Sequence, residues 1–240
     1  MSLFQKKYKN KCVLVISDMH VPYQHRDTVK FLEAVKKKYN PDRVISIGDE
    51  VDKHALSFHD SDPDLPSAGD ELRLAIKALQ PIYKLFPRMD IISSNHGDMV
   101  YRKAKHHGIP KAYLQSYGEV LQAPIGWKWH NDLTITLSNK TQCYFHHGLS
   151  SNILKVVKEY SLNVVHGHYH NSAGVHYAST PEKLLWGLQV GCLIDDNSLA
   201  FAYNKTTLGR PMIGVGIIEN GLPRWLPMIV KNGKWTGVLP

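Results

Sequence analysis

Five short segments of this sequence carry side chains that can bind metal ions, and each follows a short apolar run. The segments are Asp18-Met19-His20, Gly48-Asp49-Glu50-Val51-Asp52, Asn95-His96-Gly97-Asp98, His146-His147-Gly148 and Gly167-His168-Tyr169-His170. Carboxylate, imidazole and amide donors in combination suit divalent ions such as Mn²⁺, Fe²⁺ and Zn²⁺. Each segment on its own is a common chance pattern, so the prediction of a metal site depends on all five together.

The donor set also indicates what the metal ions would do. A carboxylate that bridges two ions holds them about 3.5–4 Å apart, which polarises a phosphoryl group and lowers the pKa of the attacking water. The three cysteines, Cys12, Cys143 and Cys192, lie outside these segments. A structural zinc site, which commonly uses thiolates, is therefore not indicated. The predicted chemistry is the hydrolysis of a phosphate ester.

The elements that must position these segments alternate in type along the first part of the chain. The apolar runs Cys12–Ser17, Arg43–Ile47 and Met89–Ser93 predict strands, whereas Asp27–Tyr39 and Ala68–Phe86 have helical spacing. This alternation is typical of a parallel sheet covered by helices. Ligand sites of such sheets gather at the carboxyl ends of the strands, so we expect the polar segments to converge there.

The second half of the chain has a different pattern, with more strands and tight turns. We expect residues 99–131 to be mostly helical. The elements predicted after them are strands at Leu133–Leu137 and Gln142–Phe145, a helix at Ser150–Tyr160, a strand at Val164–His166, and strands from Ala173 onward with hairpin turns at Asn220-Gly221 and Asn232-Gly233. With no repeat or linker visible, we predict a single domain over residues 1–240. Its class would be α/β (α+β), a mixed-sheet β-sandwich flanked by helices.

The order and spacing of the five segments resemble the signature of the calcineurin-like metallophosphoesterases. That signature runs Asp-x-His, Gly-Asp-x-x-Asp, Gly-Asn-His-Glu/Asp, His and Gly-His-x-His, and the resemblance spans Asp18 to His170. It implies a β-sandwich with flanking helices and two divalent metal ions. We expect Mn²⁺, although Fe or Zn would fit the same donors.

The resemblance also implies a role for each matching residue. The first metal would be bound by Asp18, His20 and His170, the second by Asn95, His147 and His168, with Asp49 bridging the two. His96 would be the general acid that protonates the leaving oxygen, and Asp52 would orient it and keep it protonated. Either His146 or His147 could be the ligand of its segment. We expect His147, because the family ligand directly precedes a glycine.

The sequence departs from the family pattern at several positions. Ser94 replaces a glycine, and Gly97 is inserted so that Asp98 is displaced by one. Lys53 stands where many members have an arginine, and a lysine cannot bind a phosphate with a bidentate fork.

Several residues near the five segments are candidates for contacting the substrate. We expect this of Lys53, His54 and Arg102, with a solvated helix face as the alternative for Arg102, and His59 is a weaker candidate. Two tryptophans, Trp127 and Trp129, could stack on a base, but packing is the favoured interpretation.

The formal net charge of +8 favours an anionic partner. Our leading hypothesis is a phosphomonoesterase that hydrolyses (deoxy)nucleoside 5′-monophosphates. The chain is short, and it loosely resembles small phosphoesterases of tailed bacteriophages, some of which are deoxynucleoside 5′-monophosphatases, for example over His54–Glu71.

Three alternative functions remain at this point. A DNA nuclease or phosphodiesterase would suit the charge, although the 70 residues after His170 leave little room for a capping domain. A protein phosphatase and a non-catalytic scaffold are the others, and the scaffold is disfavoured because no expected donor type is missing.

The cellular location is indicated only by composition. No apolar run approaches the roughly 20 residues needed to span a bilayer, so no membrane partner is expected. The three cysteines have no metal-type spacing and fit a reducing compartment. We expect the cytoplasm, or the host cytoplasm if a phage encodes the chain.

Overall fold

Two packed β-sheets with helices on their outer faces make up the described part of the protein. The computed structural model describes residues 9–57, 62–201 and 209–240. The helices are α1 (Thr28–Tyr39), α2 (Ala68–Leu85), α3 (Met99–His106), α4 (Tyr117–Val120) and α5 (Ile153–Tyr160), with 3₁₀ turns at His54–Leu56 and Lys111–Tyr113. The strands are β1 (Cys12–Ile16), β2 (Arg43–Ser46), β3 (Arg88–Ile92), β4 (Gly126–His130), β5 (Leu133–Thr136), β6 (Gln142–Phe145), β7 (Asn163–His166), β8 (Ala173–Ser179), β9 (Leu184–Val190), β10 (Gly214–Glu219), β11 (Leu222–Pro227), β12 (Val230–Lys231) and β13 (Lys234–Trp235).

Both large sheets mix parallel and antiparallel pairs. The first sheet has six strands in the order β11-β10-β1-β2-β3-β4, in which β1 to β4 are parallel to one another. The second has five strands in the order β5-β6-β7-β9-β8, in which β6, β7 and β9 are parallel. The predicted class, a mixed-sheet sandwich flanked by helices, is confirmed. Among the described residues, no helix is long and apolar enough to cross a membrane.

Strand β1 shows how the sequence produces these layers. Val13 and Val15 face the second sheet, whereas Leu14 and Ile16 pack against helices α1 and α2 on the other side. Because both faces are covered, every position from 13 to 16 is apolar and fully buried. Helix α5 covers the far face of the second sheet in the same way, through residues such as Ile153 and Val157.

The prediction that residues 99–131 are mostly helical is wrong: α3 and the short α4 are helical, but most of the stretch is not, and it ends in strand β4. In β4, Trp127 and Trp129 pack against the α2 side of the first sheet while Lys128 is exposed, which is the two-residue period of a strand. The indole Nε1 of Trp127 donates to the carbonyl of Phe86 at 2.8 Å. Trp127 is thus a buried packing residue, as the favoured interpretation expected.

The two hairpin predictions are confirmed. Asn220 and Gly221 join β10 to β11, and Asn232 and Gly233 join β12 to β13. All four residues have positive φ, between 51° and 85°. Turns that match the twist of paired strands need this conformation, and asparagine and glycine adopt it most easily.

The topology brings the five polar segments to one end of the sandwich. Three of them follow the neighbouring parallel strands β1, β2 and β3, and two follow the neighbouring parallel strands β6 and β7 of the facing sheet. Hydrogen bonds then join the segments directly, since the amide of Asp18 donates to Gly48 and the amide of Gly167 to His147.

Candidate metal centre and active site

The carboxylates of the site are buried where strands of the first sheet end. Asp18 is 0% exposed, Asp49 is 1% exposed and Asp52 is 3% exposed. Asp18, His20 and Asp49 have left-handed backbones with φ of 47°, 47° and 51°. Such conformations are unfavourable for non-glycine residues and are typical of functional sites, where the surrounding structure holds them in place.

Two glycines of the predicted segments are required by close packing at the site. A Cβ atom at Gly167 would overlap the side chains of Ser17 and Asp18. One at Gly48, whose φ is 101°, would lie 2.5 Å from the Cβ of Ser94. The contact at Gly167 lets the backbone after β7 approach the first sheet closely, and the contact at Gly48 brings together the loops after β2 and β3.

A first group of donors consists of Asp18, His20 and His170. The Nε2 atom of His170 lies 3.2 Å from Asp18 Oδ1 and 3.2 Å from Nε2 of His20. The same His20 nitrogen lies 3.8 Å from Asp18 Oδ1 and 3.6 Å from Asp49 Oδ2. Three ligand atoms from this group lie within 4.8 Å of one another.

A second group forms around the other side of Asp49, with His147 and His168. The Nε2 atom of His147 lies 3.2 Å from Asp49 Oδ2 and 2.7 Å from Asn95 Oδ1. The rings of His147 and His168 are 4.9 Å apart. Asp49 therefore lies between the two groups, where a bridging ligand would have to be. The assignment of these side chains as metal ligands remains a prediction.

Charge at the site suits cations. Burial alone would lower the pKa of His20 and His147. Neighbouring carboxylates instead raise it to about 10 for His20, through Asp18 and Asp52, and to about 9 for His147, through Asp49. Burial would likewise raise the pKa of Asp18, but hydrogen bonds with His170 and His20 hold it well below its usual value. Metal ions and protons compete for such donors, so the residues present fit a pair of divalent cations.

The imidazoles nearest Asp49 are oriented by contacts on their far nitrogens. Nδ1 of His20 lies 2.6 Å from Asp52 Oδ1, and Nδ1 of His147 lies 2.8 Å from the carbonyl oxygen of Ile47. In both rings Nε2 is left facing the carboxylates. Acceptors behind metal-binding histidines commonly fix the tautomer and orientation in this way.

His96 lies beside the first group but is held differently from the expectation. Its ring nitrogen Nδ1 contacts the backbone carbonyl of Asp52, whereas the Asp52 carboxylate lies 3.9 Å away and pairs with His20. The amide of His96 donates to Asp49 Oδ1 at 3.1 Å. Burial lowers the pKa of His96, although the charges of Asp49 and Asp52 oppose this. Asp52 thus orients His96 through its main chain and His20 through its side chain.

The two adjacent histidines after β6 point to opposite faces of the sheet. The ring of His147 faces Asp49, whereas the ring of His146 stacks on Tyr144, 6.0 Å between centroids, on the side of α5. Side chains of consecutive strand residues alternate, which explains the separation. The geometry favours His147 for the donor group.

Ser94 is a site residue whose function the sequence reasoning missed. Its hydroxyl oxygen accepts the amide hydrogens of Asp49 at 2.9 Å and Gly97 at 3.1 Å. The serine and the inserted glycine, both departures from the family pattern, therefore contact each other, and the bond from Asp49 joins the loops after β2 and β3. The serine directly before the third segment was the available signal.

Glu71 of α2 was also missed. It is buried and accepts the amide hydrogens of His54 and Ala55 at 2.9 and 3.2 Å, which anchors the loop after Asp52. No local sequence pattern marks it.

The three predicted substrate contacts lie in different environments. Lys53 is buried, and its ammonium group donates to the carbonyls of His96 and Gly97. His54 lies at the edge of the site, with Nδ1 3.9 Å from Asp52 Oδ2. Arg102 lies on the exposed side of α3. Substrate contacts by these residues remain predictions, and His59 lies outside the described residues.

Comparison with known proteins agrees with the donor pattern. The model of the calcineurin-like phosphoesterase family matches residues 13–172, two thirds of the chain. No curated protein matches the sequence.

Solved structures with a similar fold are distant in sequence. An archaeal phosphodiesterase is 14% identical, with a TM-score of 0.48, over 90% of this chain and 99% of its own. Vacuolar protein sorting 29 from Cryptosporidium parvum is 12% identical, with a TM-score of 0.48, over 93% of each chain. Nuclease MPE from Pseudomonas putida is 11% identical, with a TM-score of 0.35, over 91% of this chain and 93% of its own. On the family match, this chain belongs to the calcineurin-like phosphoesterases and is a metal-dependent phosphoric ester hydrolase.

Proposed function

We propose that the protein hydrolyses phosphomonoesters with two divalent cations, with (deoxy)nucleoside 5′-monophosphates as the preferred substrates. The observation that carries the two-cation proposal is the position of Asp49 between two donor groups, one with Asp18, His20 and His170, the other with Asn95, His147 and His168. Two cations bound there, which we propose to be Mn²⁺, would neutralise charge on the phosphoryl oxygens and lower the pKa of the attacking water.

The protein's own side chains have separate tasks in this proposal. His96, in its doubly protonated form, gives its Nε2 proton to the leaving oxygen and becomes neutral: the Asp52 carbonyl can only accept a hydrogen, so it holds the Nδ1 hydrogen and leaves the Nε2 hydrogen for the leaving group. Asp52 also fixes His20 through its carboxylate. The opening to solvent is bordered by His168, which is exposed, and by His96 and His170, which are partly exposed. A small phosphate could enter there with its ester oxygen next to His96.

The nucleotide preference has a weaker basis. It follows from the looser resemblance to phage phosphomonoesterases over His54–Glu71, of which residues 58–61 lie outside the described part. The positive net charge of +8 favours any phosphate substrate.

Hydrolysis of a substrate panel tests the proposal, measured as phosphate release from monoesters, p-nitrophenol release from the aryl diester and strand cleavage of DNA. The panel contains all 5′- and 3′-mononucleotides, a phosphopeptide, bis-p-nitrophenyl phosphate, and labelled single- and double-stranded DNA, each with Mn²⁺. Release from 5′-mononucleotides with intact DNA is the expected result. Phosphate release only from the phosphopeptide would indicate a protein phosphatase, and no release from any member would refute the proposed activity.

A DNA nuclease is the second candidate, favoured by the surface next to His96. Helix α3 begins just after the His96 segment, and Arg102, Lys105 and His106 are all exposed on it. A nuclease that binds DNA phosphates there should lose activity steeply as salt rises, whereas a mononucleotide phosphatase should not. DNA cleavage with inert mononucleotides and a steep salt dependence would establish this alternative.

A further inference from the structure

Lys53 contacts the loop that carries His96. Its Nζ donates to the carbonyl oxygen of His96 at 2.6 Å and to that of Gly97 at 2.9 Å. It also lies 3.9 Å from the centre of the Tyr117 ring. An ammonium group has three N–H donors, and here two are used by carbonyls while an aromatic face covers the group. A phosphate would have to displace these contacts in order to bind Lys53.

The surroundings of Lys53 remove its ammonium group from water and replace that water with protein partners. The residue is only 7% exposed. Burial lowers the pKa of its ammonium group to about 8, and the carboxylates of Glu50, Asp49, Asp98 and Glu71 oppose this shift without cancelling it. A buried ammonium group is stable only where such partners replace its water shell. This environment fits a structural contact better than a substrate contact that must exchange with solvent.

Together, Lys53 and its neighbour Asp52 hold His96 at two points. The Asp52 carbonyl contacts the His96 ring, and the Lys53 ammonium group binds the His96 carbonyl. A third contact comes from Asp49, whose carboxylate accepts the His96 amide. The backbone of Lys53 is left-handed, with φ of 60°. Hydrogen bonds therefore connect the loop after β2 to the loop after β3 on both sides of the His96 imidazole.

We propose that Lys53 is a positioning residue that acts through His96, and that it is not a phosphate ligand. By binding the carbonyls of His96 and Gly97, it holds the loop so that the imidazole presents Nε2 to the leaving oxygen. The inference rests on the proposed role of His96 as proton donor. A displacement of about 1 Å at a reacting group can cost on the order of 10²-fold in rate, so a loosened loop should have a measurable effect.

The test compares Lys53→Met with wild type and with the matched control Lys128→Met, which changes an exposed lysine of β4. Each protein, loaded with Mn²⁺, is assayed on an ester with a good leaving group, p-nitrophenyl phosphate, and on an alkyl phosphate; the corresponding diesters are used if wild type prefers them. We expect kcat of Lys53→Met to fall about 10-fold or more on the alkyl ester and less than about 3-fold on the aryl ester, because only the alkyl ester needs the proton. KM and the inhibition constant of inorganic phosphate should stay within about 2-fold. A double variant with His96→Asn should be no slower than His96→Asn alone.

Other outcomes would overturn the inference. Equal losses on both esters, together with weaker inhibition by phosphate, would make Lys53 a phosphate ligand. If Lys53→Met does not fold, Tyr117→Leu removes the ring that covers the ammonium group and should give a smaller loss of the same ester-selective kind. A uniform loss in that variant would also refute the positioning role.

Amide hydrogen exchange separates the inference from the proposed function. Lys53→Met should exchange faster than wild type at residues 94–98, and Lys128→Met should not. A wild-type protein inactive on both esters would refute the proposed function, whereas the exchange rates would still decide whether Lys53 holds the loop. Unchanged exchange in Lys53→Met would overturn the inference whatever the activity.

Discussion

The two sheets contribute chemically different halves of the site. Loops after strands of the six-stranded sheet provide the carboxylates Asp18, Asp49 and Asp52, which are buried, together with the donors His20 and Asn95. Loops after strands of the five-stranded sheet provide imidazoles, of which His147 is buried and His168 is exposed. Fixed negative charge is thus concentrated in the loops of the six-stranded sheet, while the loops of the five-stranded sheet offer only imidazoles among the candidate ligands. A desolvated carboxylate attracts a cation much more strongly than one in water does.

The difference between the halves predicts an order of effects. Loss of a buried carboxylate removes charge that a cation needs, and loss of an imidazole removes one bond among several. Substitution of a carboxylate of the first sheet should therefore weaken metal binding more than substitution of an imidazole of the second. Substitution of His146, which lies on the far face of the second sheet, should not weaken it.

Asp49→Asn should have the largest effect, because Asp49 lies between both donor groups. We expect activity to fall by at least about 10³-fold, more than the 10²–10³-fold of a single lost transition-state contact. Bound Mn²⁺, measured by equilibrium dialysis, should fall from two ions per chain toward none. The matched control is Asp132→Asn, which changes an exposed aspartate in the turn before β5. Near-normal turnover in Asp49→Asn would refute the bridging role.

His96→Asn should lower turnover without removing metal. The loss should be about 10²–10⁴-fold on alkyl esters, the usual contribution of a general acid, and much smaller on p-nitrophenyl phosphate. The Mn²⁺ content should stay that of wild type, because the His96 side chain is assigned to neither donor group. An equal loss on both kinds of ester would contradict the role of His96 as proton donor.

His168→Ala should affect only the metal ion bound by the second donor group, that of Asp49, His147 and His168. Its ring lies 4.9 Å from that of His147, and its bond to the first donor group comes from the backbone amide, which donates to Asp18 Oδ2 and is kept in alanine. We expect the affinity for one of two Mn²⁺ ions to fall by about 10-fold or more, comparable to the 10–100-fold cost of disturbing a ligand's environment. The other ion should bind as in wild type. The control is His176→Ala, which changes an exposed histidine of β8. Loss of both ions would show that the two donor groups do not bind their metal ions independently.

Much of this comparison could be predicted from the sequence, because the signals were local. An apolar strand followed by carboxylate or imidazole residues occurs at β1, β2, β3, β6 and β7, and it gave both the sheet edge and the candidate donors. Strand β4 was missed because a long helical pattern precedes it and the alternation of Trp127 and Trp129 covers only a few residues.

Contacts distant in sequence could not be predicted. The ammonium group of Lys53 meets the carbonyls of His96 and Gly97 more than forty residues away, and its direction depends on a left-handed backbone that lysine rarely adopts. Likewise, Asp52 follows Asp49 in the same loop, yet its carboxylate pairs with His20, 32 residues earlier. Motif order identifies which residues meet, whereas the loop conformations decide which atoms do.

His146→Ala should have the smallest effect and gives the sharpest contrast with its neighbour. The two histidines are adjacent in sequence, but only His147 reaches Asp49, while His146 stacks on Tyr144 on the opposite face. We expect His146→Ala to bind Mn²⁺ and turn over substrate within about 2-fold of wild type, with a stability loss of about 1 kcal/mol, the common size for a partly buried side chain. His147→Ala should instead lose at least about 10-fold in Mn²⁺ affinity. Equilibrium dialysis and thermal unfolding of the two variants measure this difference. If His146→Ala lost metal and His147→Ala kept it, the opposite face of the five-stranded sheet would carry the metal ligand. The assignment of ligands to the two sheets would then be wrong.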